Sequence, residues 1–331
     1  MPTKLSIWKR CRFRLEALGL RFAVKVLPML SRRALLRFAR GMSWVAYRVD
    51  GRGRKISDDN LQAVFPDKAA DERRQITRQS YFHQTMCALD LLWAPGNLTE
   101  STMSRYIRYS YDDEEEFRAI IKGGPSVWVT LHYGNFEWMS VAWGLSRGNM
   151  PMIVAEDFRN PALTPIYKKL REHTGNTFIP QERAVMRLLK HLKRGGQAAF
   201  LTDLRVKPSK AATIIENFGM KTSMTAIHAY LAQRTGVALV PTICLPQPDG
   251  TYTFHIHKSL VFDDQATLQV IAQQCWDVFE ETIRETPAPW LWMYKHWRYL
   301  PSDPGNVQYP SYATRSKAFA EMEASLESHS D

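Results

Sequence analysis

No uninterrupted apolar run of roughly 18 residues, the least that crosses a bilayer as a helix, occurs in this 331-residue chain, so a clear spanning helix is not expected. Its basic N-terminus is not followed by a clean apolar stretch and a small-residue cleavage site, so it does not read as a signal peptide. Cysteine is sparse. Cys11, Cys87, Cys244 and Cys275 lie far apart and include no Cys-x-x-Cys pair, which argues against a disulfide scaffold and a cysteine metal site and for a reducing compartment. Acidic residues are nearly missing from positions 1–55, where Glu16 and Asp50 stand against 15 Lys and Arg. That segment carries +13 of a total of +11, leaving −2 for residues 56–331. The basic character therefore belongs to an arm suited to anionic lipid or nucleic acid, attached to a near-neutral body. No motif of a nucleic-acid-binding fold accompanies it, and nucleic acid is set aside as a partner.

Hydrophobic residues make up 45%, with 10 Trp, 13 Tyr and 15 Phe, enough to build a sizeable core and supply interfacial aromatics. Trp8, Cys11, Leu15, Leu18, Phe22, Val26 and Met29 recur at helical spacing and form one apolar stripe, flanked by Arg10, Arg14, Arg21 and Lys25. Pro28 limits this helix, and Leu35, Phe38, Met42 and Val45 continue the pattern in a second one. The pattern is that of helices lying on an anionic membrane surface; the competing reading is core helices with a solvated basic face.

Residues 50–60 read as a loop and 69–93 as a helix. Strands are expected at Ser126–Leu131 (after Gly123-Gly124-Pro125), Pro151–Ala155, Gln197–Thr202, Val237–Leu245 and Tyr252–Val261, the last two around a turn at Pro248-Asp249-Gly250. Helices are expected at Glu137–Leu145, Ala162–His173, Glu182–Lys193, Met224–Arg234 and about 265–285. The alternation predicts an α/β fold: a mixed, mainly parallel sheet flanked by helices, with an N-terminal amphipathic membrane-associating helical segment. Three regions are expected: amphipathic helices over 1–55, a catalytic body over 56–301 and a mobile polar tail over 302–331.

Chemistry concentrates at Trp128-Val-Thr-Leu-His132-Tyr-Gly-Asn-Phe-Glu137. A buried strand ends at His132, Gly134 permits a tight turn, and a helix follows, so His132 sits at the carboxyl edge where open α/β sheets bind ligands. Folded back by that turn, Glu137 would orient the imidazole as a general base. No serine or cysteine nucleophile stands in a recognisable elbow. The base would then act on a substrate hydroxyl, and acyl transfer from a thioester to an alcohol is the reaction class that fits.

His132-Tyr-Gly-Asn-Phe-Glu137 resembles the His-x4-Asp/Glu motif of the lipid A late acyltransferases, the lauroyl/myristoyl acyltransferase family. Other segments follow in the family's order: Asn60-Leu-Gln-Ala-Val-Phe-Pro66, Ser80-Tyr-Phe82, Asp90-Leu-Leu-Trp93, Asn160-Pro161, Gly195 to Asp203, Phe218-Gly219, Leu231-Ala232 with Thr235-Gly236 and Val240-Pro241, and the Trp-rich Trp290 to Arg298. The resemblance spans about 8–301. It implies an enzyme on the cytoplasmic face of the inner membrane, with no metal or other cofactor; the weak N-terminal apolar run departs from members with a clearer anchor and favours peripheral attachment over a span. The donor it implies is acyl carrier protein (or acyl-CoA), and the acceptor is a hydroxyl of a lipid A precursor. It carries general-base and supporting roles to His132 and Glu137, turn-shaping roles to Gly134 and Asn135, and a substrate-contacting role to Asn160. Three positions depart from the family pattern: Glu156 where many members have Arg, with Arg159 the nearest cation; Leu204 after Asp203; and Ile227 in place of Gly. These departures bear on the acceptor. A phospholipid, aminolipid or mannosylated inositol lipid is the alternative, and a catalytically inactive membrane-docked binding protein is the non-enzymatic one.

Arg159 and Arg205 are candidates for clamping phosphate, with Lys207 and Lys210 read as solvated. Asp203, on the same edge, would orient a substrate group or a nearby arginine. Trp290, Trp292 and Trp297 would wall an acyl pocket, sit at a lipid interface or pack a core. His255 and His257 share a strand face, as zinc ligands can, but no third ligand is evident nearby and an exposed sheet face is the expectation.

Overall fold

The structure, a computed structural model, describes residues 6–122, 124–146, 151–155 and 158–328; Gly123 and Glu156, both invoked above, lie outside the described residues. Serine caps open both N-terminal helices. Ser6 accepts from the Lys9 amide and starts α1 (Ile7–Val26), and Ser31 accepts from the Ala34 amide and starts α2 (Arg32–Val49), each at 3.3 Å. A 3₁₀ turn containing Pro28 joins them. The stretch after Asp50, expected as a loop, is helix α3 (Gly51–Val64). Asp50 caps it by accepting from the Gly53 amide at 2.8 Å, and buried Ile56, Leu61 and Val64 outweigh the low propensity of Gly51 and Gly53. Long α4 (Ala70–Asn97) follows.

The chain then alternates through β1 (Ile107–Tyr111), α5 (Glu114–Ile121), β2 (Ser126–Thr130), α6 (Phe136–Leu145), β3 (Pro151–Ala155), α7 (Thr164–Glu172), β4 (Thr177–Pro180), α8 (Ala184–Leu192) and β5 (Gln197–Leu201). After a hairpin of β6 (Ala212–Asn217) and β7 (Met220–Thr225) come α9 (Ile227–Thr235), β8 (Ala238–Pro246), β9 (Tyr252–Ile256) and α10 (Leu268–Glu285). Seven strands form one sheet in the order β1-β9-β8-β2-β5-β3-β4, parallel throughout except for the β8–β9 hairpin. This is the mixed, mainly parallel sheet flanked by helices that the alternation implies. Strands β1, β4, β6 and β7 carry no strong apolar run, and their pairing comes from the neighbours they meet. At the β6–β7 turn Phe218 (φ 53°) and Gly219 (φ 78°) are both left-handed, as a tight two-residue hairpin requires. The Phe218 ring packs on Trp276, Trp290, Trp292 and Trp297.

Alternate residues of the central strands go to opposite faces. Val127, Val129, Leu131 and Ala198 pack into the larger core with α8, α9 and α10, while Trp128 and Thr130 face α6. The carboxyl ends of β2 and β5 lie side by side, with Thr130 opposite Leu201, so the residues that follow both strands emerge together.

One buried network fastens the N-terminal helices to this sheet. Asp90 of α4 is fully buried and pairs with the Arg32 guanidinium; its Oδ2 also accepts from Tyr252 (2.6 Å) and Asn135 (2.9 Å). Arg32 lies among the rings of Trp93, Trp138 and Tyr252 and donates to the Gly250 carbonyl at 2.6 Å. Removing one partner of a buried pair strands the other charge. Asp90→Ala is therefore expected to lower unfolding free energy by about 3 kcal/mol, read as a fall in the denaturant midpoint; an unshifted midpoint would disprove the role.

Residues 302–328, expected as a mobile tail, are packed. A short bridge of β10 (Tyr299–Leu300) with β11 (Thr314–Arg315) leads into α11 (Lys317–Glu327), whose Phe319 is fully buried. Glu323 accepts from the Lys221 ammonium at 2.7 Å and from the Ser302 amide at 2.8 Å. Phe319, Met322 and Leu326, at i, i+3 and i+7, are the sparse apolar signal for this helix.

Candidate active site

Beyond β2, His132 follows Thr130 by two residues; beyond β5, Asp203 follows Leu201 by two. Strand pairing brings them into contact. The Asp203 carboxylate accepts from His132 Nδ1 at 2.7 Å, from the His132 amide at 3.0 Å and from Trp290 Nε1 at 2.9 Å. Asp203 is fully buried. Burial opposes its ionisation, but His132, His296 and the Trp290 N–H outweigh that and hold its carboxyl below the ordinary aspartate range. With Nδ1–H given to Asp203, the imidazole presents a bare Nε2, the form a general base needs. The His132 side chain is 20% exposed and forms part of a cavity wall.

Glu137 does not fill the supporting place expected of it. Asn135 caps α6 by accepting from the Trp138 amide at 3.1 Å, and the first helical turn carries Glu137 round toward α7. There it forms a two-pronged ion pair with Arg171, whose Nε donates to Oε2 at 3.0 Å. The carboxylate on His132 is Asp203. Arg171 was not read from the sequence, because nothing local distinguishes it from the other cations of α7.

The other expected site residues divide. Gly134 (φ 59°) makes the turn, and a Cβ there would strike the Cys244 carbonyl, so only glycine fits. Asn135 is fully buried, donates to Asp90 and does not line the cavity. Asn160 donates to the Phe13 carbonyl and to Glu16, both at 2.9 Å, which makes it a clamp on α1 rather than a substrate contact. Arg159 is exposed and does not line the cavity. Arg205 turns from the cavity to Tyr299, donating to its hydroxyl at 3.1 Å and lying over its ring. Lys207 and Lys210 are exposed. Trp290, Trp292 and Trp297 are wholly buried and line no part of the cavity, so they are core, with Trp290 also steadying Asp203.

The cavity, about 600 Å³, runs along the α6 face of the sheet. Trp128 and Thr130 of β2, Leu201 of β5 and Ile256 of β9 form its sheet side; Met139 and Trp143 of α6 close the other. Trp128 and Trp143 meet with ring centroids 4.1 Å apart. Arg171 is the single Lys or Arg among the described lining residues. Leu204 and Ile227, two of the positions noted as departures, also line it. Among the described residues no serine or cysteine bonds to His132, and burial pushes the thiols of Cys87, Cys244 and Cys275 far above their ordinary range. The site is thus a carboxylate-held imidazole on an apolar cavity of ligand size, with no serine or cysteine bonded to the imidazole among the described residues.

Comparison with known proteins agrees with this chemistry. Residues 12–299 match the family described as bacterial lipid A biosynthesis acyltransferase. A phosphatidylinositol mannoside acyltransferase of Mycobacterium tuberculosis (strain ATCC 25618 / H37Rv) is 27% identical over 182 residues, 54% of this chain and 56% of that protein. The lipid A biosynthesis lauroyltransferase of Escherichia coli (strain K12) is 20% identical over 276 residues, 81% of this chain and 86% of that one. The match thus spans little more than half the length of the mycobacterial relative. With family-wide similarity over nearly all of its body, the chain belongs to the bacterial lipid A biosynthesis acyltransferase family.

Proposed function

We propose that this chain transfers a fatty acyl group from a thioester, on acyl carrier protein or coenzyme A, to a hydroxyl of a lipid A precursor at the cytoplasmic face of the inner membrane. The observation that carries this reading is the His132 imidazole, held by Asp203 at 2.7 Å, on the wall of an apolar cavity of about 600 Å³. His132 Nε2 takes the proton of the acceptor hydroxyl as its oxygen attacks the thioester carbonyl. Asp203 stabilises the imidazolium so formed. Collapse of the tetrahedral intermediate breaks the C–S bond, and the imidazolium returns its proton to the departing thiolate, leaving ester and thiol. Arg171, kept in the wall by Glu137, offers a cation to an oxygen of donor or acceptor.

The acceptor has a second reading. The relative acting on phosphatidylinositol mannoside favours a mannosylated lipid, and Leu204 and Ile227 stand at the cavity where such a difference would be felt. Purified protein incubated with lauroyl- and myristoyl-acyl carrier protein and either a Kdo-bearing lipid A precursor or a mannosylated phosphatidylinositol separates the two. A product one acyl chain heavier is expected with the lipid A precursor. Product with the mannolipid alone would replace that acceptor, and no donor consumption under any condition would favour a binding protein.

Membrane docking is part of the same proposal. No described helix is long and apolar enough to cross a bilayer. Of the stripe read over 8–29, Trp8, Cys11, Leu15, Leu18, Phe22 and Met29 are exposed, Trp8 80% and Phe22 68%, and Val26 is half-buried, while Phe13 and Ala17 face the body. An outward apolar stripe with basic flanks suits an anionic lipid surface, not a core. Asn160 fixes α1 two residues from Phe158 of the cavity wall. Replacing Trp8 and Phe22 together by Ala is expected to weaken co-sedimentation with phosphatidylglycerol-containing vesicles about tenfold or more; unchanged sedimentation would sink the docking role.

A further inference from the structure

The sheet edge holds a cluster that the acyl-transfer site does not use. β1 and β9 run parallel with Tyr111 opposite Ile256, and the Asp112 amide donates to the Ile256 carbonyl at 3.0 Å. That pairing sets Asp112 beside His255 and His257, residues more than 140 positions away in the chain. His255 Nε2 lies 3.1 Å from Asp112 Oδ1, and His257 Nδ1 lies 3.3 Å from Asp112 Oδ2. The two imidazoles are 4.4 Å apart between centroids and nearly perpendicular. One ligand atom from each of the three residues can be chosen so that all lie within 4.8 Å of one another.

We propose that Asp112, His255 and His257 form a binding site for a divalent transition-metal ion of the zinc class, with a further position open to water. Two imidazoles and a carboxylate are a donor set that zinc takes, and bonds of about 2.0–2.1 Å in a tetrahedron put ligand atoms roughly 3.3 Å apart. Each imidazole nitrogen already stands close to that distance from one of the two Asp112 oxygens, so side-chain rotation with loss of the protons in these contacts, rather than rebuilding of the strands, admits an ion. The outer support is also in place. His255 Nδ1 is 2.9 Å from Ser110 Oγ, which orients the ring with Nε2 toward Asp112. The Lys258 amide donates to Asp112 Oδ2 at 3.0 Å, and His257 sits edge-on to Phe279 of α10. Asp112 is half-exposed, leaving an entry path and room for water.

Alternation along β9 separates this cluster from the chemistry. Phe254 and Ile256 line the cavity, and His255 and His257 lie on the other face. The ion would act as a clip between the ends of β1 and β9, not as a participant at His132.

The test is zinc titration of the tag-free full-length protein, after dialysis against chelator, by calorimetry and by thermal unfolding. One equivalent of zinc and a Tm that climbs with zinc concentration are expected. His255→Ala/His257→Ala should abolish both responses. Ser110→Ala, which leaves every ligand in place, should weaken binding about tenfold. Asp112→Asn, retaining size and shape, should also weaken binding and guards against misfolding of the histidine variant. A visible absorption band of four-coordinate cobalt, lost in the same variants, would identify the ligand set. Absence of a zinc-dependent Tm, or stoichiometric binding that persists in both the histidine and Asp112 variants, would overturn the proposal and leave a hydrogen-bonded His–Asp–His contact.

Discussion

Replacing His132 by Ala is expected to lower turnover by about 10³-fold or more, with Tm and circular dichroism close to those of the parent. A positioned general base contributes roughly 10²–10⁴-fold, and each decade is about 1.4 kcal/mol of barrier. Among the described residues, neither of the nearest candidates can replace it. Glu137 is committed to Arg171, and His296, the other imidazole close to Asp203, is buried and has Nε2 2.9 Å from the Leu291 carbonyl. Burial lowers the His296 pKa to about 4, so it stays neutral within the core. Steady-state consumption of acyl thioester, followed with product by mass spectrometry, reads the effect. A His132→Ala enzyme with parental turnover would remove the base from the mechanism.

Asp203→Asn is expected to cost about 10²–10³-fold in turnover with little change in KM. The asparagine fills the same space but cannot stabilise an imidazolium, and its amide nitrogen replaces either Oδ2, which accepts from both the His132 amide and Trp290 Nε1, or Oδ1, which accepts from His132 Nδ1. The same variant has a stability signature. The native carboxyl titrates below the ordinary aspartate range. Its contribution is therefore complete above the unfolded pKa near 3.9 and is lost as pH falls through the lower native value. Acid unfolding of Asp203→Asn should accordingly show a weaker pH dependence in that window. Glu137→Gln provides the contrast. It leaves Arg171 as an uncompensated cation in an apolar wall, so its principal loss is in stability, and Glu137→Gln/Arg171→Gln should recover much of it. Double-mutant cycles make the assignment decisive: coupling in turnover is expected between His132 and Asp203, and coupling in unfolding between Glu137 and Arg171. The reverse pattern, His132 coupled to Glu137, would restore the pairing that the motif spacing suggests.

That reversal shows where local pattern stops. His132 at a strand end, Gly134 in the turn and a helix beyond were legible because strand, glycine and cap are encoded within ten residues. The five-residue interval then invited a His132–Glu137 pair. Helix geometry decides otherwise: once Asn135 caps α6, Glu137 projects toward α7, while the neighbouring strand delivers Asp203. Strand order is a property of the whole sheet, set by which apolar faces bury best together, so a carboxylate 71 residues away leaves no local trace. The same limit hid Asp112 from His255 and His257 and made Asn160 look like a substrate contact when it anchors α1.

Periodicity and composition were sufficient for strands β2, β3, β5, β8 and β9 and the helices alternating with them, and for the apolar stripe of α1, but not for β1, β4, β6 and β7, because burial repeats at 2.0 or 3.6 residues only where a strong apolar face exists. They failed at Gly51–Val64, where glycine propensity lost to the packing of Ile56 and Leu61, and at residues 302–328, where one buried phenylalanine and the Lys221–Glu323 pair order a polar segment. Local sequence thus wrote the elements and set His132 at a strand end. Which carboxylate meets His132, which asparagine merely holds the frame, and where the apolar cavity opens were settled by the order in which seven strands lie side by side, because burial is optimised over the whole sheet and not along the chain.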